Sequence, residues 1–329
     1  MRKTAVVVFL FSAALRAGAT GYGANEAGTS AGNFLKLGAD ARAAGMGSAV
    51  HAAVDDATAI YWNPAGLAGL RYRHATMTHS ASYQSTFTDF IAYAQPIEAP
   101  FQRQSGRERE LQPDQFGTLG VAVLYQNSGS INEVDNTGAN TGDRITPQDL
   151  AVIIAWGATV SRGLDLGIGL KYITSKIQST AQTGAVDLGA RWRTWLPGDF
   201  PYAVSFSAQN LGGQLKFHEI SDPLPITLTI GQALKLYKGL TVTLDFIAPR
   251  DRSAYPAFGL EWRVPMQQGL AASLRAGYDG RLSSSDLSGG VTGVSFGGGL
   301  AIQRWGFDYG WSPAGGLGSS HKLSLSYRF

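Results

Sequence analysis

The 329-residue sequence contains no cysteine, which excludes disulfides and a lipid anchor carried on a cysteine. It is also poor in charge: Asp, Glu, Lys and Arg make up 16% of the chain, against roughly 25% in an ordinary soluble domain. The 27 basic and 24 acidic residues leave a net charge of only +3, scattered along the chain. No basic run tracks a phosphate backbone, so nucleic acid is excluded as a partner. Nowhere are there 18 consecutive apolar residues, so no helix is expected to span a bilayer, and a membrane form of this chain must be a closed barrel. The five histidines, His51, His74, His79, His218 and His321, show no metal-ligand spacing. His74 and His79 differ by an odd number and would face opposite sides of one strand. Neither a metal nor a cofactor is expected.

Glycine, by contrast, is abundant, 42 of 329 residues or about 13%, against a usual ~7%. The mean hydropathy of −0.05 is too low for a helical membrane protein and suits strands with one lipid face and one wet face. The clearest such strand is the last. Leu323, Leu325, Tyr327 and Phe329 alternate with Lys322, Ser324, Ser326 and Arg328, and a final strand ending on an interfacial aromatic is how outer-membrane barrels close. Tyr327 and Phe329 are therefore the candidate barrel-assembly signal. The first residues point to export: Arg2 and Lys3, an apolar stretch from Ala5 to Leu15, and Ala17-Gly18-Ala19 predict a signal peptide over 1–19, cut after Ala19.

Residues 20–70 have a different texture, rich in Ala and Gly, with little period-2 alternation. Short helical faces are expected around Phe34 to Ala44 and Ala57 to Tyr61, the second ended by Asn63-Pro64. From Arg71 the pattern becomes alternation broken by turns. The predicted strands are 71–80, 85–95, 115–126, 148–160, 164–177, 183–193, 202–211, 226–236, 240–248, 257–264, 269–278, 291–302, 306–311 and 320–329. That makes residues 71–329 an all-β transmembrane antiparallel barrel of about fourteen strands. Prolines are expected between strands or at their edges, since they cannot donate to a ladder. With both termini periplasmic, short inner turns alternate with longer outer loops, residues 96–114 excepted. Trp156, Trp192, Trp195, Trp262 and Trp305 then fall near periplasmic strand ends, as an aromatic girdle requires, and Trp311 falls on the outer rim.

The catalytic patterns in the chain are weak. Gly28-Thr29-Ser30-Ala31-Gly32 matches G-x-S-x-G, but there is no room for the strand that must precede a nucleophile elbow. Gly45-Met46-Gly47 lacks both the third glycine of a dinucleotide fingerprint and a strand before it. Asp55-Asp56 reads as a helix-start pair satisfying free N–H groups. Asp165, Lys171, Arg191, Asp245 and Arg275 fall on inward positions, where they line the lumen and fasten whatever fills it. An enzyme is not expected.

The block Ser30 to Gly38, Ala41-Arg42-Ala43-Ala44-Gly45-Met46-Gly47, Asp55-Asp56-Ala57 and Tyr61 to Ala68 resembles the PorV/PorQ family of outer-membrane proteins. Gln209-Asn210-Leu211-Gly212 with Pro223-Leu224-Pro225, and the end from Phe307 to Ser326, look similar too. That family is itself similar to the FadL hydrocarbon transporters, fourteen-stranded barrels with an N-terminal hatch carrying an Asn-Pro-Ala element. The resemblance implies a FadL-like barrel in the bacterial outer membrane, in contact with its lipid, with a hatch in the lumen and Asn63, Pro64, Ala65 and Gly66 as the hatch motif. It implies a role in handling exported proteins beside type IX secretion machinery. The alternative is a channel for small hydrophobic ligands, with a narrow apolar pocket against the hatch for which Phe34, Leu37 and Met46 are the candidate contacts.

Overall fold

The computed structural model describes residues 28–82, 85–98, 115–134, 138–217, 219, 221–267, 269–282, 293–313 and 318–329. The expected signal peptide lies outside the described residues, as do residues 99–114 and most of the loop after residue 282.

Residues 28–70 form only short elements: a 3-10 turn Asn33–Lys36, helix α1 (Ala41–Gly45), helix α2 (Ala59–Trp62) and a 3-10 helix Pro64–Gly69. Asp40 starts α1 by accepting the Ala43 N–H at 2.8 Å, the usual N-cap bond. Asn63 does the same for the last turn, accepting the Ala65 N–H at 3.1 Å, with Pro64 in the first helical position. Proline suits that place because its missing N–H has no partner there in any case. It also forces the preceding residue out of the helical region, and Asn63 is extended at φ −159°. Of the two aspartates expected at the helix start, only Asp56 caps, accepting the Thr58 N–H at 2.8 Å. Asp55 turns away to Arg42 at 3.1 Å.

The strands are β1 (His74–Ala81), β2 (Phe87–Glu98), β3 (Gln115–Asn127), β4 (Ile131–Val134), β5 (Asn140–Ile145), β6 (Gln148–Ser161), β7 (Leu164–Lys176), β8 (Thr180–Leu196) and β9 (Phe200–Gly212). They continue with β10 (Gln214–Lys216), β11 (Ser221–Pro223), β12 (Thr227–Lys235), β13 (Leu240–Pro249), β14 (Tyr255–Pro265), β15 (Leu270–Asp279), β16 (Val294–Ile302), β17 (Trp305–Pro313) and β18 (Ser319–Arg328). Fourteen of them close an antiparallel barrel, each pairing with its neighbours in order and β1 pairing with β18, while β4 with β5 and β10 with β11 are hairpins within loops. Closure leaves no sheet edge unpaired, which is what lets strands cross a bilayer. The outer face carries the apolar half of the alternation, with Leu166, Ile168, Leu170 and Tyr172 of β7 exposed. Their alternates Asp165, Lys171, Ile173 and Ser175 are buried inside.

Three prolines break the expectation that all lie outside strands or at their edges: Pro96, Pro201 and Pro256 are in β2, β9 and β14. Each sits where one flanking ladder has already ended. The pairing of β1 with β2 stops at Ala94, that of β9 with β12 at Tyr202, and that of β14 with β15 starts at Ala257. A missing N–H on an unpaired flank costs no ladder bond.

The hydrophobic core lies inside the barrel. Phe34, Leu35, Val54, Ile60, Tyr61, Trp62 and Leu67 of the lumenal segment pack with Phe90, Ala92, Leu124, Ile153 and Ile173 of the inner wall on β2, β3, β6 and β7. The rim at which β1 starts and β18 stops has short turns, such as 162–163 and 303–304. Trp192, Trp262 and Trp305 lie at strand ends on that rim, opposite Leu164, Leu240 and Ile302.

Candidate functional site

The lumenal segment meets the wall at rows of glycine that face inward at matching register. Gly157 of β6 pairs with Gly167 of β7, which pairs with Gly189 of β8. The Asn63-Pro64 turn lies against this row so closely that a Cβ on Gly167 would fall 2.2 Å from the Pro64 carbonyl carbon, and one on Gly189 2.1 Å from Asn63 Oδ1. A second row, Gly259 of β14 and Gly277 of β15, receives Met46-Gly47. A Cβ on Gly277 would sit 2.0 Å from the Gly47 nitrogen. A third, Gly297 of β16 and Gly310 of β17, receives α1. Only glycine lets two backbones approach in this way.

Between the rows, charged wall residues hold the segment by its backbone and side chains. Arg191 donates to the Val54 carbonyl at 2.7 Å and to Gly66 at 3.4 Å, with Asp165 beside it at 3.0 Å. Arg42 of α1 reaches Glu261 at 2.7 Å, and Glu261 in turn meets Arg275 at 2.8 Å. Lys322 donates to the carbonyls of Leu37 and Gly38 at 2.7 and 2.6 Å, and Gln209 to that of Tyr61 at 2.6 Å. Lys36 bonds Asp251 at 2.5 Å, and Ser30 donates to the same carboxylate. Burial opposes ionisation of Asp251, yet these two donors hold its carboxyl below the ordinary range. Burial is also the main influence on Asp40 and Tyr61 inside the barrel, and it pushes both up. Of the five lumenal charges singled out from the sequence, Arg191 and Asp245 bond the segment directly, Asp245 accepting the His51 N–H at 3.0 Å, while Asp165 and Arg275 act through Arg191 and Glu261. Lys171 instead joins strand to strand, meeting Asp187 and Asn210 at 2.7 Å each.

That last contact marks a bulge. Gln209 and Asn210 of β9 together oppose Asp187 of β8, and Asn210 takes φ +60°. The extra residue turns both side chains inward, one to the lumenal segment and one to Lys171.

Beside the bulge lies a cavity of about 50 Å³. The lumenal segment contributes Leu35, Lys36, His51, Tyr61 and Trp62 to its lining. The wall contributes Gln209, Asn210, Thr227 and Thr229 from β9 and β12, and Pro249, Tyr255, Asp279 and Arg281 near the long-loop rim. Of the candidate ligand contacts, none lines it. Phe34 and Met46 are buried in side-chain and backbone packing, and Leu37 is 42% exposed. Asn63 is wholly buried, and its Nδ2 donates to the His51 carbonyl at 3.2 Å. Pro64 and Ala65 abut the first glycine row, while Gly66 has Val54 and Ala59 against it. Phe329 ends the chain at the short-turn rim, its N–H bonding the Arg73 carbonyl at 3.0 Å. Its ring is edge-on to Tyr327 and Tyr93.

In structure the chain is similar to the toluene transporter TbuX of Ralstonia pickettii, with a TM-score of 0.56 and 14% identity over 89% of this chain and 98% of that one. It is similar to the toluene transporter TodX of Pseudomonas putida, at 0.55 and 10%, and to a FadL homologue of Pseudomonas aeruginosa, at 0.55 and 8%, each over 88% of this chain and 98% of the other. The fold is that of a FadL-like bacterial outer-membrane barrel. No protein-family model and no curated protein matches the chain. The PorV/PorQ resemblance therefore rests on its motifs alone, and the exported-cargo role it implies gains no support, whereas the FadL-like barrel does.

Proposed function

We propose that the chain is an outer-membrane channel for small molecules, which enter at the long-loop rim and pass the lumenal segment toward the periplasm. On this reading residues 20–70 are a hatch, residues 71–329 the barrel, and the short-turn rim with its tryptophans faces the periplasm. The Asn63 to Gly66 turn seats the hatch on the first glycine row. Membrane lipid covers the apolar outer face. One observation carries the reading: a cavity inside a closed fourteen-strand barrel, between the Leu35-Lys36 turn and the wall, in a chain that shares its fold with two toluene transporters along most of its length. A structural barrel would gain nothing from that space, because a void forfeits packing.

The test is uptake. Liposomes containing the purified barrel should take up labelled single-ring aromatics such as toluene and p-cresol faster than protein-free liposomes do. Equal rates for every such solute tried would overturn the proposal.

A further inference from the structure

The cavity is polar at its deep end. His51 is 2% exposed and Thr229 1% exposed; both line the cavity, and His51 Nε2 and Thr229 Oγ1 have no hydrogen-bond partner among the described residues. His51 is fixed in place. Its backbone N–H donates to Asp245 Oδ2 at 3.0 Å, and its Nδ1 lies 2.7 Å from the same oxygen. The Trp62 ring stands edge-on to it at 5.3 Å. With Nδ1 committed to the carboxylate, Nε2 is the nitrogen left for a ligand. The cations nearby are already matched, Lys36 by Asp251 and Arg281 by Asp279 at 3.0 Å.

We propose that this cavity is a headgroup site for a neutral hydroxylated small molecule, an alcohol or phenol whose O–H enters between His51 and Thr229. The proposal rests on the channel reading and names its substrate class. A hydroxyl donates and accepts at once, so it satisfies Nε2 in either protonation state of the ring and leaves the Thr229 hydroxyl paired too. A hydrocarbon satisfies neither atom. A carboxylate would enter beside Asp245 and Asp279 with no free cation to receive it. Size gives the orientation. The cavity, about 50 Å³, is a third of the ~150 Å³ that admits benzene, so the hydroxyl end goes in and the rest of the molecule lies toward Pro249 and Tyr255 at the rim.

The experiment compares three solutes that share a ring and a methyl group, toluene, p-cresol and p-toluate, by calorimetric titration of the purified full chain in detergent. The expected result is p-cresol binding at least about tenfold more tightly than the other two, roughly one net hydrogen bond, and Thr229→Val losing most of that preference. Toluene or p-toluate binding as tightly as p-cresol would overturn the site, as would an undiminished preference in Thr229→Val. Should the variant not fold, the wild-type series decides alone. Uptake separates this site from the channel: preferential p-cresol binding with no solute crossing the membrane supports the site and sinks the channel. Faster toluene uptake without any binding preference does the reverse.

Discussion

Glycine is the residue that decides whether the lumenal segment fits. At Gly277 a Cβ would stand 2.0 Å from the Gly47 nitrogen and 2.2 Å from the Met46 carbonyl carbon. Both are backbone atoms that cannot swing aside as a side-chain tip would. At Gly184, on the outer face, the nearest atom is 3.7 Å away. Gly277→Val should therefore destabilise the barrel by about 1–3 kcal/mol through overpacking, read as a lower denaturation midpoint, while Gly184→Val leaves the midpoint in place. The glycine excess was plain in the sequence, but as composition. The informative signal was parity: Gly157, Gly167, Gly189, Gly259, Gly277, Gly297 and Gly310 all fall on inward positions of their strands. The motif residues Asn63 to Gly66 were legible one by one, and their sockets on the wall were not, because the partners are distant in sequence. Arg42 and Glu261, 219 residues apart, make the same point for the charges. Phe34 and Met46 lie in packing and Leu37 is exposed, while the polar residues of the cavity, His51, Asn210 and Thr229 among them, have no periodicity that distinguishes them from other lumenal positions.

Strands were the most legible elements, since a lipid face on one side and a filled lumen on the other impose period 2 on every crossing. The hairpin β4 with β5 escaped notice because water surrounds it: Asn140 to Arg144 are all exposed, so no face is marked apolar. The bulge in β9 was hidden for another reason. A single inserted residue shifts parity only locally, and Gln209-Asn210 read as part of a motif. The closing element makes its own prediction. Phe329 bonds Arg73 through its backbone, which any residue would do, but its ring adjoins Tyr93 of β2 and Tyr327 of β18, and Tyr327 meets Trp305 of β17. This aromatic cluster covers the seam where last strand meets first. Phe329→Ser keeps the backbone bond and removes the ring, so the expected outcome is a lower yield of folded, heat-modifiable barrel on cold gels; a yield equal to wild type would show that the cluster does not guide closure.

At the scale of the whole molecule the interior is divided. Along β2 to β7 the lumenal segment is held by apolar contacts from Phe90, Leu124, Ile153 and Ile173. From β8 round to β18 it is held chiefly by Arg191, Gln209, Asp245, Glu261 and Lys322, and the cavity lies on this side. Burying such ions costs much of what their pairing returns, so they locate the segment more than they stabilise the chain. The barrel itself closes through continuous ladders, from β1 with β2 to β17 with β18, that involve none of residues 28–70. A chain lacking 24–70 should then still form the cylinder. Its inward charges would meet water instead of backbone carbonyls, and a fourteen-strand lumen is too wide for wall side chains to fill. Single-channel conductance in planar bilayers should rise severalfold over the full chain. An unchanged trace from a deletion that still folds would mean that the wall closes on itself and that the segment is not what stops the bore, which would remove the hatch from the channel reading while leaving the barrel intact.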